Sequence, residues 1–259
     1  MTTILILEGQ SPEIVSSGHS YAAPFVESLS ALWSSVKCRT HQPYLHGLNN
    51  ADLTGIDGVV FTGSGVDWNV FDPRGAAQCR AMETVFAAGL PVWGSCNGMQ
   101  LITAILGGSV RKAPAGLEVG LARDLWLTEA GRHHPMMAGR TNGFSVPCIH
   151  RDEVDELPDS AVLLASNTHS RVQAIAYEAD GIDFWGTQYH PELRPSNIAR
   201  TLRKDSVPSN KTLITHLESA EWDPDAARAL GNTTGGLKLS DRARELANWL
   251  GHVGAVSQA

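Results

Sequence analysis

Two kinds of hydrophobic pattern alternate between residues 4 and 106. Short continuous apolar runs predict buried strands of a parallel sheet, and segments with an apolar residue at every third or fourth position predict helices. The predicted strands cover residues 4–7, 58–63 and 90–93, and the predicted helices cover residues 25–33, 79–86 and 98–106. This alternation implies right-handed crossovers and an α/β fold with an open, mostly parallel sheet.

The pattern changes between residues 109 and 190. Strand-like runs at residues 125–127, 162–165, 174–177 and 184–189 predict a strand-rich half with antiparallel pairs. Beyond Glu192 the pattern predicts helices at 224–230 and 240–250, the second with Ser240 as its N-cap. Because this tail is short for a second catalytic domain, we expect one domain at 1–195 and a helical extension at 196–259 packed on it.

Composition and charge argue against several classes of binding partner. The net charge of −7 and the absence of a Lys/Arg cluster argue against nucleic acid. The amino terminus has no basic region, and its apolar run is too short for a signal peptide or a membrane span, so we expect a cytoplasmic protein without a membrane partner. Four cysteines without C-x-x-C spacing predict neither a zinc site nor a disulfide framework. We expect the adjacent His133 and His134 to be solvated rather than metal-bound.

The segment Gly94-Ser95-Cys96-Asn97-Gly98 places a cysteine between two glycines at a predicted strand-to-helix junction. In such an elbow the nucleophile is strained, and larger residues at the glycine positions would collide with neighbouring strands. The following helix points its amino terminus at the sulfur and favours the thiolate. It also offers the N–H of Asn97 to an oxyanion, at roughly 3 kcal/mol per donor. A small buried cysteine is the alternative interpretation of this segment alone.

His190-Pro191-Glu192 follows the last apolar run of the strand-rich half. In extended backbone, residues two apart project to the same side, so the carboxylate can orient the imidazole. An isolated tripeptide of this kind is more often a solvated turn. Its occurrence together with the elbow favours a catalytic pair.

With Thr62-Gly63-Ser64-Gly65 as a third motif, the chain resembles the class I glutamine amidotransferases. Their G-x-C-x-G-x-Q motif corresponds to residues 94–100, and their Q-x-H-P-E motif corresponds to residues 188–192. The resemblance implies a flavodoxin-like sheet with helices on both faces and a reaction without metal or organic cofactor. The site residues that it implies are Cys96, His190 and Glu192 for catalysis, the backbone N–H of Ser64 and Asn97 for the oxyanion, and Gly63 and Gln100 for substrate binding.

The elbow departs from the family pattern at Ser95, Asn97 and Met99, since the family usually has an aliphatic residue before the cysteine and a bulky one after it. We expect these changes to alter the pocket, so that free glutamine need not be the substrate. The segments 116–120 and 150–154 also resemble family segments on the same side of the sheet, without an assigned role. His150 is the first alternative to His190 as the base.

The sequence leaves three functions open. The first is an amidotransferase subunit that forms a γ-glutamyl thioester and passes ammonia to a separate synthetase, since the chain has no P-loop signature. The second is a free-standing hydrolase with the layout of the γ-glutamyl peptidases, acting on a small γ-glutamyl compound. The third is a non-catalytic binding protein, against which the intact Cys96, His190 and Glu192 set argues.

Overall fold

The computed structural model describes residues 1–204 and 211–257 of the 259-residue chain. Strands and helices alternate in its first half, as the hydrophobic pattern predicts. The strands are β1 (Thr3–Leu7), β2 (Lys37–His41), β3 (Gly58–Phe61), β4 (Val92–Ser95), β5 (Ser109–Lys112), β6 (Glu118–Leu127), β7 (Phe144–His150), β8 (Asp152–Glu156), β9 (Val162–Ser166), β10 (Ala174–Ala179) and β11 (Ile182–Thr187). The helices are α1 (Pro12–Ser16), α2 (Ala22–Leu32), α3 (Pro43–His46), α4 (Ala76–Ala87), α5 (Asn97–Ile105), α6 (Glu129–His133), α7 (Pro195–Lys204), α8 (Lys211–Ser219), α9 (Pro224–Ala229), α10 (Leu239–Arg242) and α11 (Arg244–Val256).

The described residues form one mixed sheet of nine strands and a separate two-stranded ribbon. Its strand order is β2-β1-β3-β4-β11-β10-β9-β6-β7, and β5 pairs with β8 in a separate ribbon. The strands from β2 to β11 in this order pair in parallel, whereas β10, β9, β6 and β7 continue the sheet in antiparallel pairs. The predicted α/β class and the strand-rich second half with antiparallel pairs are therefore confirmed.

The two faces of the sheet bury separate hydrophobic clusters. In β1, Ile4 and Ile6 join the cluster that contains α2 and α11, whereas Leu5 and Leu7 join the cluster that contains α4 and α5. Because successive strand residues point to opposite faces, the continuous apolar run of β1 is the consequence of helices on both faces.

The residues after Glu192 pack on the sheet at two places. Helices α7, α8 and α9 share a cluster with Leu121 and Leu193, and α10 and α11 close the face that α2 covers. The prediction of Ser240 as an N-cap is wrong, because Ser240 lies inside α10 and Lys238 is its N-cap. A break at Ala243 separates α10 from α11 within the predicted helix 240–250.

Several elements carry no strong hydrophobic pattern and were not predicted. Strand β2 lies at the sheet edge and is mostly exposed, so its sequence Lys-Cys-Arg-Thr-His contains no apolar run. Helix α7 was also missed, because its few apolar residues sit on one narrow stripe. No helix in the described part of the chain has the length and apolar character that crossing a membrane requires.

Candidate active site

Cys96 lies at the junction between β4 and α5, with φ of 51° and ψ of −103°. A positive φ is strained for a residue with a side chain, as expected for a nucleophile elbow. The flanking glycines pack closely: a methyl group on Gly94 would lie 2.7 Å from the Phe184 ring, and one on Gly98 would lie 2.5 Å from the carbonyl oxygen of Phe61. Glycine at both positions therefore allows the neighbouring strands to approach the elbow.

A cavity of about 420 Å³ opens beside Cys96. This volume is within the range of roughly 300–1,000 Å³ that is usual for small-molecule sites. The structure brings four of the predicted site residues to its wall, together with residues that have no predicted role. The wall includes Ser64, Cys96, Asn97 and Gln100 and, in addition, Tyr21, Val66, Trp68, Leu117, Arg151 and Thr201.

His190 and Glu192 form a buried pair next to Gly63. Nδ1 of His190 lies 2.7 Å from Oε1 of Glu192, and both side chains are about 3% exposed. Burial alone would lower the pKa of His190, but the Glu192 carboxylate and a hydrogen bond with Cys96 raise it to about 10. The ring therefore carries a positive charge at neutral pH, and this charge lies close to Cys96.

Three distant segments hold the turn that contains this pair. The Ser28 hydroxyl donates to the backbone oxygen of Glu192 at 3.0 Å, and the buried Arg242 donates to the carbonyl oxygen of Pro191 at 2.9 Å. The backbone N–H of His190 donates to the carbonyl oxygen of Pro147 at 2.7 Å. No local sequence pattern predicts these anchors, because each depends on contacts between remote parts of the chain.

Ser95 is fully buried and lies beneath the pair. Its Oγ is 3.1 Å from Oε2 of Glu192 and 2.9 Å from Nε1 of Trp93. Neither Ser95 nor Met99 is among the residues that line the cavity, so of the three departures from the family pattern only Asn97 faces it. Ser95 and Met99 lie behind the cavity wall, and an effect of these two residues on the pocket stays a prediction.

The loop at residues 62–65 is braced by the loop that follows β1. The Ser64 hydroxyl donates to the carbonyl oxygen of Gly9 at 2.7 Å, and the N–H of Gly65 donates to Oε1 of Gln10 at 2.8 Å. Among the described residues, the N–H groups of Gly63 and Ser64 have no hydrogen-bond acceptor. The loop is thus held in place while two N–H groups stay available to a ligand.

Gln100 lies at the cavity wall, but its amide N–H groups are already used. Nε2 donates to the carbonyl oxygen of Asp152 at 2.9 Å and to Oε1 of Gln188 at 3.1 Å. Only its carbonyl oxygen is left for a substrate. Its binding role stays a prediction, and the visible role of Gln100 is to fix the segment around Asp152.

Glu118, His150 and His169 bring potential metal-ligand atoms within 4.8 Å of one another. Burial alone would raise the pKa of Glu118, but hydrogen bonds from His150, Asn167 and Gln173 hold it below its usual value. Both ring nitrogens of His150 are also occupied, Nε2 by Glu118 at 2.7 Å and Nδ1 by the carbonyl oxygen of Asp152 at 3.0 Å. The cluster is a hydrogen-bonded network in which His150 has no nitrogen left to act as a base.

The two adjacent histidines and the three cysteines outside the elbow lie in different environments. His133 is exposed as expected, but the expectation of a solvated His134 is wrong, because its ring packs edge-on against Trp185 at 5.1 Å and its side chain is only 12% exposed. Burial raises the pKa of the other three thiols, at Cys38, Cys79 and Cys148. These thiols are poorer nucleophiles at neutral pH than a free cysteine.

Comparison with known sequences finds relatives of this chain. The γ-glutamyl-L-1-hydroxyisopropylamide hydrolase of a Pseudomonas species is 33% identical over 222 residues, covering 78% of this chain and 74% of that protein. The glutamine-hydrolyzing GMP synthase of Wolinella succinogenes is 36% identical over 111 residues, covering 43% of this chain. This chain therefore spans only about a fifth, 21%, of that synthase.

Comparison with solved structures agrees at the level of the fold. A glutamine amidotransferase from Thermotoga maritima matches with a TM-score of 0.69 over 97% of both chains, at 16% identity. The family model described as glutamine amidotransferase class-I matches residues 13–207. The model covers most of the chain, so the protein belongs to the class I glutamine amidotransferase family.

Proposed function

We propose that the protein is a cysteine-dependent hydrolase of γ-glutamyl amides. The observation that carries this proposal is the convergence of Cys96 and His190 on Gly63. A methyl group at Gly63 would lie 2.7 Å from Cε1 of His190 and 3.7 Å from Cβ of Cys96. A thiol and a protonated imidazole beside one glycine are the groups that acyl transfer from an amide requires.

In this mechanism the Cys96 thiolate attacks the γ-carbonyl carbon of the substrate. The N–H groups of Ser64 and Asn97 stabilise the tetrahedral oxyanion. His190 transfers its proton to the leaving nitrogen as the C–N bond breaks, which leaves a γ-glutamyl thioester on Cys96. A water molecule then attacks the thioester and gives its proton to His190, the C–S bond breaks, and glutamate is released. Glu192 holds the imidazole throughout.

The comparisons favour an amide that is larger than glutamine. The family and its relatives indicate hydrolase activity, and the Pseudomonas relative, which matches most of this chain, is named for a γ-glutamyl alkylamide. Val66, Trp68 and Leu117 add apolar surface to the cavity wall. Glutamine releases only ammonia and leaves such surface unused, whereas an organic amine can bury apolar atoms against it.

The test is a substrate series on the purified chain. We expect γ-glutamyl alkylamides or γ-glutamyl dipeptides to be cleaved at least tenfold more efficiently than free glutamine, measured as kcat/KM from glutamate release. Cys96→Ala should abolish all turnover without loss of folding, because alanine is smaller than the residue that it replaces. Cleavage of the amides by Cys96→Ala, or equal turnover of glutamine by the chain alone, would contradict the proposal.

A second candidate is an amidotransferase subunit that supplies ammonia to a separate synthetase, which the similarity to GMP synthases favours. The same series distinguishes it. A subunit of that kind would leave the larger amides uncleaved, and its hydrolysis of glutamine would increase when a synthetase is added, because partner binding completes the site.

A further inference from the structure

The hydrogen bonds around Ser95 have a fixed direction. Nε1 of Trp93 lies 2.9 Å from Oγ of Ser95, and an indole N–H can only donate. The hydroxyl therefore accepts from Trp93 and keeps its own single proton for another partner. Oε2 of Glu192 lies 3.1 Å away, so the Ser95 proton is directed to that carboxylate oxygen.

Glu192 consequently receives donors on both of its oxygens. Ser95 donates to Oε2, and Nδ1 of His190 lies 2.7 Å from Oε1. Two donors on opposite oxygens fix the rotation of the carboxylate plane, and the protonated ring of His190 supplies one of them. Nδ1 of His190 therefore holds a proton, and Nε2 is the nitrogen left for Cys96.

We propose that Ser95 is a positioning residue, whose hydroxyl fixes the Glu192 carboxylate and through it the ring of His190 beside Cys96. This inference rests on the proposed function. An aliphatic side chain at position 95 could neither accept the indole proton nor donate to the carboxylate. Trp93 and Ser95 are two residues apart in β4, so strand geometry projects both side chains to the same face, where the pair lies.

The first test is Ser95→Ala. Because the variant removes a hydrogen-bond donor to a buried charged group, we expect kcat to fall by roughly five- to hundredfold. KM should stay within about twofold of the parent value. The rate at which iodoacetamide alkylates Cys96 should also fall at neutral pH, and its pH profile should move to higher pH, because a less well placed imidazolium stabilises the thiolate less. Ser95→Cys replaces the hydroxyl with a slightly larger thiol that is only a weak donor, so it should change both readouts in the same direction.

A double-mutant cycle separates positioning from packing. In the Glu192→Ala background, adding Ser95→Ala should lower kcat by less than a further threefold, because Ser95 then has no carboxylate to hold. Ser166→Ala is the matched control, since its buried hydroxyl donates to a backbone carbonyl and contacts neither member of the pair. This control should leave kcat and the alkylation profile unchanged.

Two results would overturn the inference. One is a double variant whose kcat falls by the full product of the two single losses, and the other is an alkylation profile that does not respond to Ser95→Ala or Ser95→Cys in folded protein. Alkylation of Cys96 needs no substrate. If the parent cleaves no γ-glutamyl amide while alkylation still depends on Ser95, the proposed function fails and the positioning role stands.

Discussion

Replacing Gly63 by alanine would place a methyl carbon 2.7 Å from Cε1 of His190, whereas ordinary contact begins at 3.4 Å. The backbone at Gly63 does not have a positive φ, so alanine is compatible with it and the collision is the main effect. Relief of the collision moves the ring by about 0.7 Å and stretches the 2.7 Å bond between His190 and Glu192. Since a misplacement of 1 Å costs roughly a hundredfold in rate, we expect kcat/KM to fall by about ten- to a hundredfold.

The assay is glutamate release from the best γ-glutamyl amide, with thermal denaturation to show that Gly63→Ala folds. Gly75→Ala is the control, because a methyl group there meets no atom nearer than 3.8 Å outside its immediate chain neighbours. Its activity should equal that of the parent. Parental activity in folded Gly63→Ala would refute the reasoning, since it would mean that His190 does not occupy this position beside the loop during catalysis.

Three further predictions concern stability and reactivity. Because the pKa of His190 rises from 6.5 to about 10 on folding, its ion pair contributes most below pH 6.5 and loses that contribution as the pH approaches 10. Glu192→Gln should therefore lower the free energy of unfolding, measured by urea denaturation, most strongly near pH 6. A decrease that does not vary with pH would exclude the ion pair as its cause. Glu245→Ala should lower the unfolding free energy by about 3–5 kcal/mol because it leaves a buried arginine unpaired, whereas Asp225→Asn in an exposed ion pair should change it by less than about 1 kcal/mol. Iodoacetamide at pH 7 should label Cys96 before the other three cysteines in peptide mass spectrometry, and faster labelling at another site would contradict the assignment of the nucleophile.

The sequence predicted best those elements whose patterns are local and strongly apolar. The run at residues 4–7 contains the buried part of β1, and the elbow at Cys96 follows from five consecutive residues. Strand β2 was missed because, within the described part of the chain, it pairs with β1 alone and most of its side chains face solvent. The residue type of Ser240 predicts a helix cap, but a helical turn already begins at Leu239.

The support around the site could not be predicted in the same way. The motif of His190 and Glu192 is visible because its residues are adjacent, whereas Ser95 contacts Glu192 across 97 positions of sequence. In the sequence, Ser95 is visible only as a departure from the family pattern, which predicts an altered pocket and no contact with Glu192. Which partner a buried hydroxyl finds is decided by the packing of strands and loops, and no local pattern encodes that choice.

The anchors of the catalytic turn have a consequence for the order of events during folding. Ser28 is 164 positions away in sequence from Glu192, which it binds, and Arg242 is 51 positions away from its partner Pro191. Contacts across such separations close large loops and form late, whereas the elbow of Cys96 joins a strand and a helix that are adjacent along the chain. A nascent or partly folded chain should thus contain Cys96 as an ordinary thiol, and the protein should acquire its most reactive sulfur only when the remote segments have docked.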